Sequence, residues 1–285
     1  MPMNRIRYAT LILFLLFCLP SFAGNDKRTC LPVKDLSENH RAFGDRENLS
    51  YKLHYKWGMI NADVADAYMK VDTTTMNGKK VFHAMISGQT QKFYDNFFKV
   101  RETLDSWFTR DGFSPVRFKR ISKEGSYWLN NNSSFVWYKD KGVVTANMET
   151  SRKGQFSLQK ELTSCTLDIP TMFYLLRNID LTGVEVGKRY PLSFIMDDDV
   201  YTLHCVYFGK ETKNVSGLGR VKCLKFGFEV VAGDVFSGDS DLLCWISDDD
   251  NRIPVYFSAP LKIGQFKGRL ESYEGLKHPF SSLVK

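Results

Sequence analysis

Catalytic punctuation is what this chain lacks. No G-x-S-x-G, H-E-x-x-H or D-x-[DN]-x-[DN]-G pattern occurs, so no nucleophile elbow, zincin helix or calcium loop is written in it. Five histidines are present, His40, His54, His83, His204 and His278, far apart in sequence and read as strand or terminal residues rather than bases. Asp197-Asp198-Asp199 and Asp248-Asp249-Asp250 offer oxygens, but Arg252 follows where a calcium ligand would be needed, and both runs read as turns. No two cysteines are spaced C-x-x-C, which argues against a thioredoxin-like site and a zinc knuckle. There is no internal repeat and no low-complexity linker. The expectation is a protein that is not an enzyme, with no metal and no other cofactor.

Long apolar runs are scarce too. The only one, Tyr8 through Leu19, follows Arg5 and Arg7 and ends at Pro20, with Ser21-Phe22-Ala23 behind it. A charged start, a short apolar stretch and a small-x-small site read as a signal peptide cut after Ala23. The run is short for a bilayer, which takes about 20 residues. Phe17 before Cys18 argues against a lipid-modified cysteine. Cleavage leaves 262 of 285 residues with no transmembrane span, and lowers the net charge from +7 to +5 by removing two arginines. So mild an excess, in an exported chain, excludes nucleic acid as the expected partner. Arg117, Lys119, Arg120 and Lys123 form a basic cluster that suits either a solvated strand face or an anionic surface. The expected location is the periplasm or cell envelope.

What the chain has in abundance is alternation. Leu49, Tyr51, Leu53, Tyr55 and Trp57 are apolar, with Ser50, Lys52, His54 and Lys56 between them, the period of a strand buried on one face. Gly58, Asn77-Gly78, Asp111-Gly112 and Asp140-Lys141-Gly142 punctuate further strands over 62–71, 80–87, 100–108, 115–122, 127–129, 134–138 and 142–148. Asp168-Ile169-Pro170 opens a helix to about Asn178, with Met172, Phe173, Leu175, Leu176 and Ile179 on its apolar side. A weaker helical turn is expected within 89–97. Strands resume at 189–195, 200–208, 219–231, 241–247, 254–258 and 265–273, with a possible seam at 183–187. The reading is a signal peptide (1–23), an N-terminal arm (24–47), a single β-rich domain (48–273) and a C-terminal tail (274–285). Its two halves are joined through the helix.

Cleavage leaves five cysteines, Cys30, Cys165, Cys205, Cys223 and Cys244. In an oxidising compartment some pair and at least one does not. A hairpin centred on Asn214 sets Cys205 opposite Cys223, close enough for a disulfide contributing roughly 3 kcal/mol. Two half-buried thiols are the alternative. Aromatics make up 14% of the chain and alternate onto single faces. They suit a packed β core or a concave surface for a hydrophobic or lipid-like ligand. On the second reading Tyr55, Trp57, Trp137 and Phe173 line the site.

Three segments in order resemble a family of exported bacterial proteins, the domain of unknown function 3108. They are Glu47-Asn48-Leu49-Ser50-Tyr51 with Trp57-Gly58 and the small residues of 62–67; Asp168 with Phe173-Tyr174 and Leu176-Arg177; and Trp245-Ile246-Ser247-Asp248 with Arg252-Ile253-Pro254-Val255, closed by Leu270-Glu271-Ser272-Tyr273. The resemblance implies export and a mainly β fold, a large curved antiparallel sheet or half-open barrel like periplasmic lipoprotein carriers, with one or two short covering helices. It supplies no catalytic residue. The expected role is a non-enzymatic binding module for a hydrophobic or lipid-like ligand or an envelope protein. The alternatives are a scaffold without a pocket and a hydrolase of envelope polymers.

Overall fold

The computed structural model describes residues 31–139, 141–229, 241–261 and 264–284. The expected signal peptide, Cys30 and the start of the arm lie outside the described residues. Alternation becomes strand wherever it was read. The first meander is β1 (Glu47–Trp57), β2 (Ile60–Met76), β3 (Lys79–Thr90), β4 (Val100–Thr109), β5 (Pro115–Glu124), β6 (Tyr127–Trp137), β7 (Lys141–Thr150) and β8 (Gly154–Thr163). A one-turn helix, α1 (Lys92–Asp95), interrupts it between β3 and β4. After the short β9 (Thr166–Leu167) comes helix α2 (Ile169–Leu176). The second meander is β10 (Arg189–Met196), β11 (Asp199–Val215), β12 (Gly219–Glu229), β13 (Asp241–Ser247), β14 (Pro254–Pro260) and β15 (Gln265–Glu274).

Among the described residues these strands form one sheet, ordered β8-β7-β6-β5-β4-β3-β2-β1-β15-β14-β13-β12-β11-β10-β9. Within each meander, neighbours in sequence pair in space, as short hairpin connections dictate. The meanders join where β1 pairs antiparallel with β15, Leu53 opposite Gly268. The free edges then return toward each other. Thr163 on β8 and Thr166 on β9 are linked by their hydroxyls at 3.0 Å, and Lys160 on β8 bonds Asp199 on β11 at 2.6 Å. The sheet is therefore barrel-like and nearly closed. β8 itself is largely exposed, carrying Gln155, Gln159, Lys160 and Glu161, polar residues that blunt an edge against further pairing.

Curling brings the inner faces together. Ile86, Leu104, Phe118 and Val144 of the first meander share one core with Phe194, Leu203, Phe226 and Ile246 of the second. Each such side chain contributes roughly 1.5–3 kcal/mol on burial. On β1, Leu49, Tyr51 and Leu53 are buried while Asn48, Ser50 and Lys52 between them are not. Helix α2 packs against β3, β4 and β10, tying both meanders to one element. Asp168 caps it by accepting from the Thr171 amide at 2.9 Å, and Pro170 sits in the first turn, where a missing N–H has no cost.

The proposed Cys205–Cys223 disulfide is not formed; Cys205, Cys223 and Cys244 are free and buried. The hairpin turns at Ser216-Gly217-Leu218 and not at Asn214. Val215 pairs with Gly219, and Gly217 and Gly219 take φ of 85° and 99°, which side chains disfavour. Cys205 thus faces Phe228, and Cys223 faces Glu211. Burial pushes all three thiols up to about 12. Cys165, in contrast, is disulfide-bonded.

Candidate functional site

The four aromatics expected to line a site are not gathered in one place. Tyr55 and Trp57 lie at the end of β1 beside the β14–β15 turn. There Gly264, at φ 83°, leaves no room for a side chain: a Cβ would stand 2.8 Å from that of Trp57 and 3.2 Å from the Tyr55 ring. Tyr55 is partly buried, and Trp57 is 52% exposed. Trp137 ends β6 at the opposite end of the sheet, stacked 6.2 Å from Phe135, its indole N–H donating to the Pro115 carbonyl at 2.6 Å. Phe173, on α2, packs against three separate apolar clusters.

The strand register defines two ends. One, here called the rim, carries the β1–β2, β3–β4, β5–β6, β7–β8, β10–β11 and β14–β15 connections. Its turns are conspicuously apolar. Met59 is fully exposed, Ile60 and Trp128 are exposed, and Phe93 within α1 and Phe97 just after it are 67% and 74% exposed. Phe93 and Phe97 touch each other at 5.8 Å, and the Gln91 amide ties their loop to Val64 of β2 at 3.0 Å. Alternation marked Trp57 as part of a strand face; nothing in the sequence pattern distinguished Met59, Phe93 and Phe97 as uncovered.

Just inside the rim, the inner face turns polar. Arg120 of β5 is clasped by Glu102 of β4, at 2.7 and 3.3 Å, and also bonds Asp197 at the tip of the β10–β11 hairpin. Asn131 of β6 donates to Asp197 at 3.3 Å and accepts from Ser133 at 2.8 Å. Burial opposes the Arg120 charge, but the Asp197 and Glu102 carboxylates outweigh it and hold the guanidinium protonated. Burial also raises the Glu124 carboxyl, which accepts from Ser122 at 3.2 Å. The expected basic cluster is therefore divided: Arg120 points inward, Arg117 lies over the Trp107 ring at 5.3 Å, and Lys123 is exposed at the rim.

The other end is closed by a second buried charge. Arg177 and Glu47 have no exposed side-chain surface and pair bidentately at 2.6 and 2.8 Å. The remaining Arg177 donors reach the Asn251 carbonyl at 2.8 and 3.1 Å and the Ala42 carbonyl at 3.2 Å. Burial opposes this charge too, and Glu47 outweighs it. Asn251 then binds His278 and Pro279, so the C-terminal segment is tied in. A cleft of about 420 Å³ lies outside this pair, lined by Lys34, Asp180, Arg252 and His278.

Chemically, neither charged cluster bonds a serine or cysteine to a histidine among the described residues. Ser37, His40 and Asp35 do cluster, but serine and aspartate both meet the same imidazole nitrogen, Nδ1, at 3.2 and 3.0 Å. A proton relay needs them on opposite nitrogens. His54 bonds Asp63 at 3.0 Å, and His83 bonds Asp105 at 2.8 Å while stacked on Trp107. Among the described residues no three His, Cys, Asp or Glu converge as a metal site. The Asp197–Asp198 and Asp248–Asp250 runs form turns.

Comparison with known proteins agrees with this architecture. A solved structure described as a beta-barrel-like protein of domain of unknown function DUF1849 from Brucella abortus superposes with a TM-score of 0.51 at 12% identity, over 82% of this chain and 100% of that one. At that identity the likeness is one of fold. No curated protein matches the chain. The profile of the family "Protein of unknown function (DUF3108)" matches residues 50–271. Segments that suggested it lie at structural joints: Glu47 and Arg177 pair at the closed end, and Asp168 caps α2. The chain belongs to the DUF3108 family.

Proposed function

We propose that this is an exported, non-enzymatic binding module of the cell envelope that takes a hydrophobic or lipid-like ligand at the rim of its barrel-like sheet. One observation carries the reading: large apolar side chains, Trp57, Met59, Ile60, Phe93, Phe97 and Trp128, stand exposed in or beside the connections at the same end. Turn tips need no such residues to fold, and clustered exposed apolar surface marks interaction sites. Export is supported by the amino-terminal sequence and by the disulfide at Cys165, a bond that persists in oxidising compartments.

Displacement of a fluorescent fatty acid from the mature protein tests the reading. Trp57→Ala is expected to weaken binding at least ten-fold while moving the urea midpoint little. Equal loss of binding and stability would make Trp57 an ordinary packing residue. A scaffold role is favoured by a different observation, the continuous core shared by both meanders, which fills much of the interior. No displacement by any acyl chain would leave that role standing.

A further inference from the structure

The rim that carries the proposed ligand reading has a second property, its charge. Lys56 follows Tyr55 at the end of β1, Lys92 and Lys99 flank the Phe93–Phe97 loop, and Lys123 pairs across the β5–β6 hairpin from Trp128. All four are exposed, and none forms an ion pair with a described residue. Two acids on the same turns are already held, and Glu124 accepts from Ser122. Asp63 is clasped by Arg269 at 2.7 Å through both oxygens, and Asp95 by Arg101 at 2.6 Å. Inside, Glu102 and Asp197 are held by Arg120. Among the described residues the rim therefore faces outward with tryptophan, phenylalanine and methionine interleaved with lysines that form no ion pair.

We infer that the rim docks on the surface of an anionic lipid bilayer. Tryptophan sits favourably at the level of lipid headgroups, and exposed apolar residues bind by burying themselves at the acyl boundary. Lysines near an anionic leaflet add attraction that salt screens. The alternation of the two residue types favours this occupant over a second copy of the chain, because an isologous contact would set lysine against lysine. No helix among the described residues is long and apolar enough to cross a membrane, so contact through turns is peripheral. Elsewhere on the surface some cations are paired with acids, Arg189 with Glu229 and Lys210 with Asp248.

The inference rests on the same rim as the ligand reading, and two assays separate them. In the first, mature protein is sedimented with vesicles of phosphatidylcholine alone or with about one third phosphatidylglycerol, at low salt and at high salt. Binding is expected to be at least ten-fold tighter to the anionic vesicles, to weaken at high salt, and to shift tryptophan emission to the blue. Lys92→Gln and Lys99→Gln should each weaken it about five-fold, and Met59→Asp at least ten-fold, with urea midpoints unchanged. Equal sedimentation with neutral vesicles, or no effect of these three changes, would overturn docking. So would gel filtration showing that Met59→Asp breaks a dimer in place of vesicle binding. The second assay is displacement of monomeric fatty acid. If it succeeds while vesicles are ignored, the ligand reading survives and docking fails; vesicle binding without displacement gives the reverse.

Discussion

Both ends of the sheet contain an arginine drawn out of water, yet they are finished differently. At the closed end each Arg177 guanidinium nitrogen is bonded, to Glu47, Asn251 or Ala42, with Phe43 and Tyr174 packed around it at 5.5 and 5.4 Å. At the rim, Arg120 is held by two acids from different meanders, and the turns beyond it leave aromatic rings in solvent. A buried charge costs several kcal/mol unless it is fully paired, so the closed end is fixed by its own chemistry. The rim holds apolar surface that folding did not use. Structural work is concentrated at one end and unspent binding surface at the other.

The contrast breaks most directly at Arg177. Arg177→Met leaves the Glu47 carboxylate buried and alone, with an expected loss of about 3–5 kcal/mol in urea unfolding. A loss below about 1 kcal/mol would mean that the closed end is not the anchor described. At the opposite end, Asp197→Ala removes one of the two acids on Arg120 but leaves Glu102 in place. The expected cost is about 1–3 kcal/mol, since a charged hydrogen bond is lost and the guanidinium stays paired. A cost as large as that of Arg177→Met would erase the distinction between anchor and clip.

A titration sharpens it further. Burial pushes the Asp168 carboxyl up to about 6 against 3.8 for a free aspartate, although Ser106 and Thr171 donate to it. The folded chain therefore keeps a proton that the unfolded chain gives up. This contribution to stability is complete below about pH 4, is lost as the pH rises through 6, and is constant above. Unfolding midpoints measured from pH 4 to 7 should fall with that profile, and Asp168→Asn should flatten it. The smallest effect is expected at the rim itself. Phe97→Ser should change stability by less than about 0.5 kcal/mol, because the ring is largely exposed and its neighbour Phe93 is exposed too. A large loss would show that the rim is structural after all.

Most strands were legible because one face of each is buried and the period of two survives in the residues. The exceptions are instructive. Strand β8 was missed although Phe156 and Leu158 alternate with Gln155, Ser157 and Gln159; as an edge it buries only Leu162. Strand β6 was read as two pieces because Asn130-Asn131-Asn132 looks like a turn. Asn131 is instead held in the strand by Asp197 and Ser133 from distant and neighbouring positions. The β11–β12 turn was placed at Asn214 when the glycines at 217 and 219 set it three residues on. That displacement alone removed the expected cysteine pair.

By itself, then, the sequence determined that the chain is a succession of amphipathic strands with one capped helix, because those choices depend on neighbours two to four residues away. It also contained the residues of the DUF3108 pattern without revealing that Glu47 and Arg177 meet. Only the tertiary structure decided which aromatics are covered. Whether Phe108 is core and Phe97 is rim depends on what the curled sheet lays over each, and strand periodicity cannot encode a contact made across the barrel.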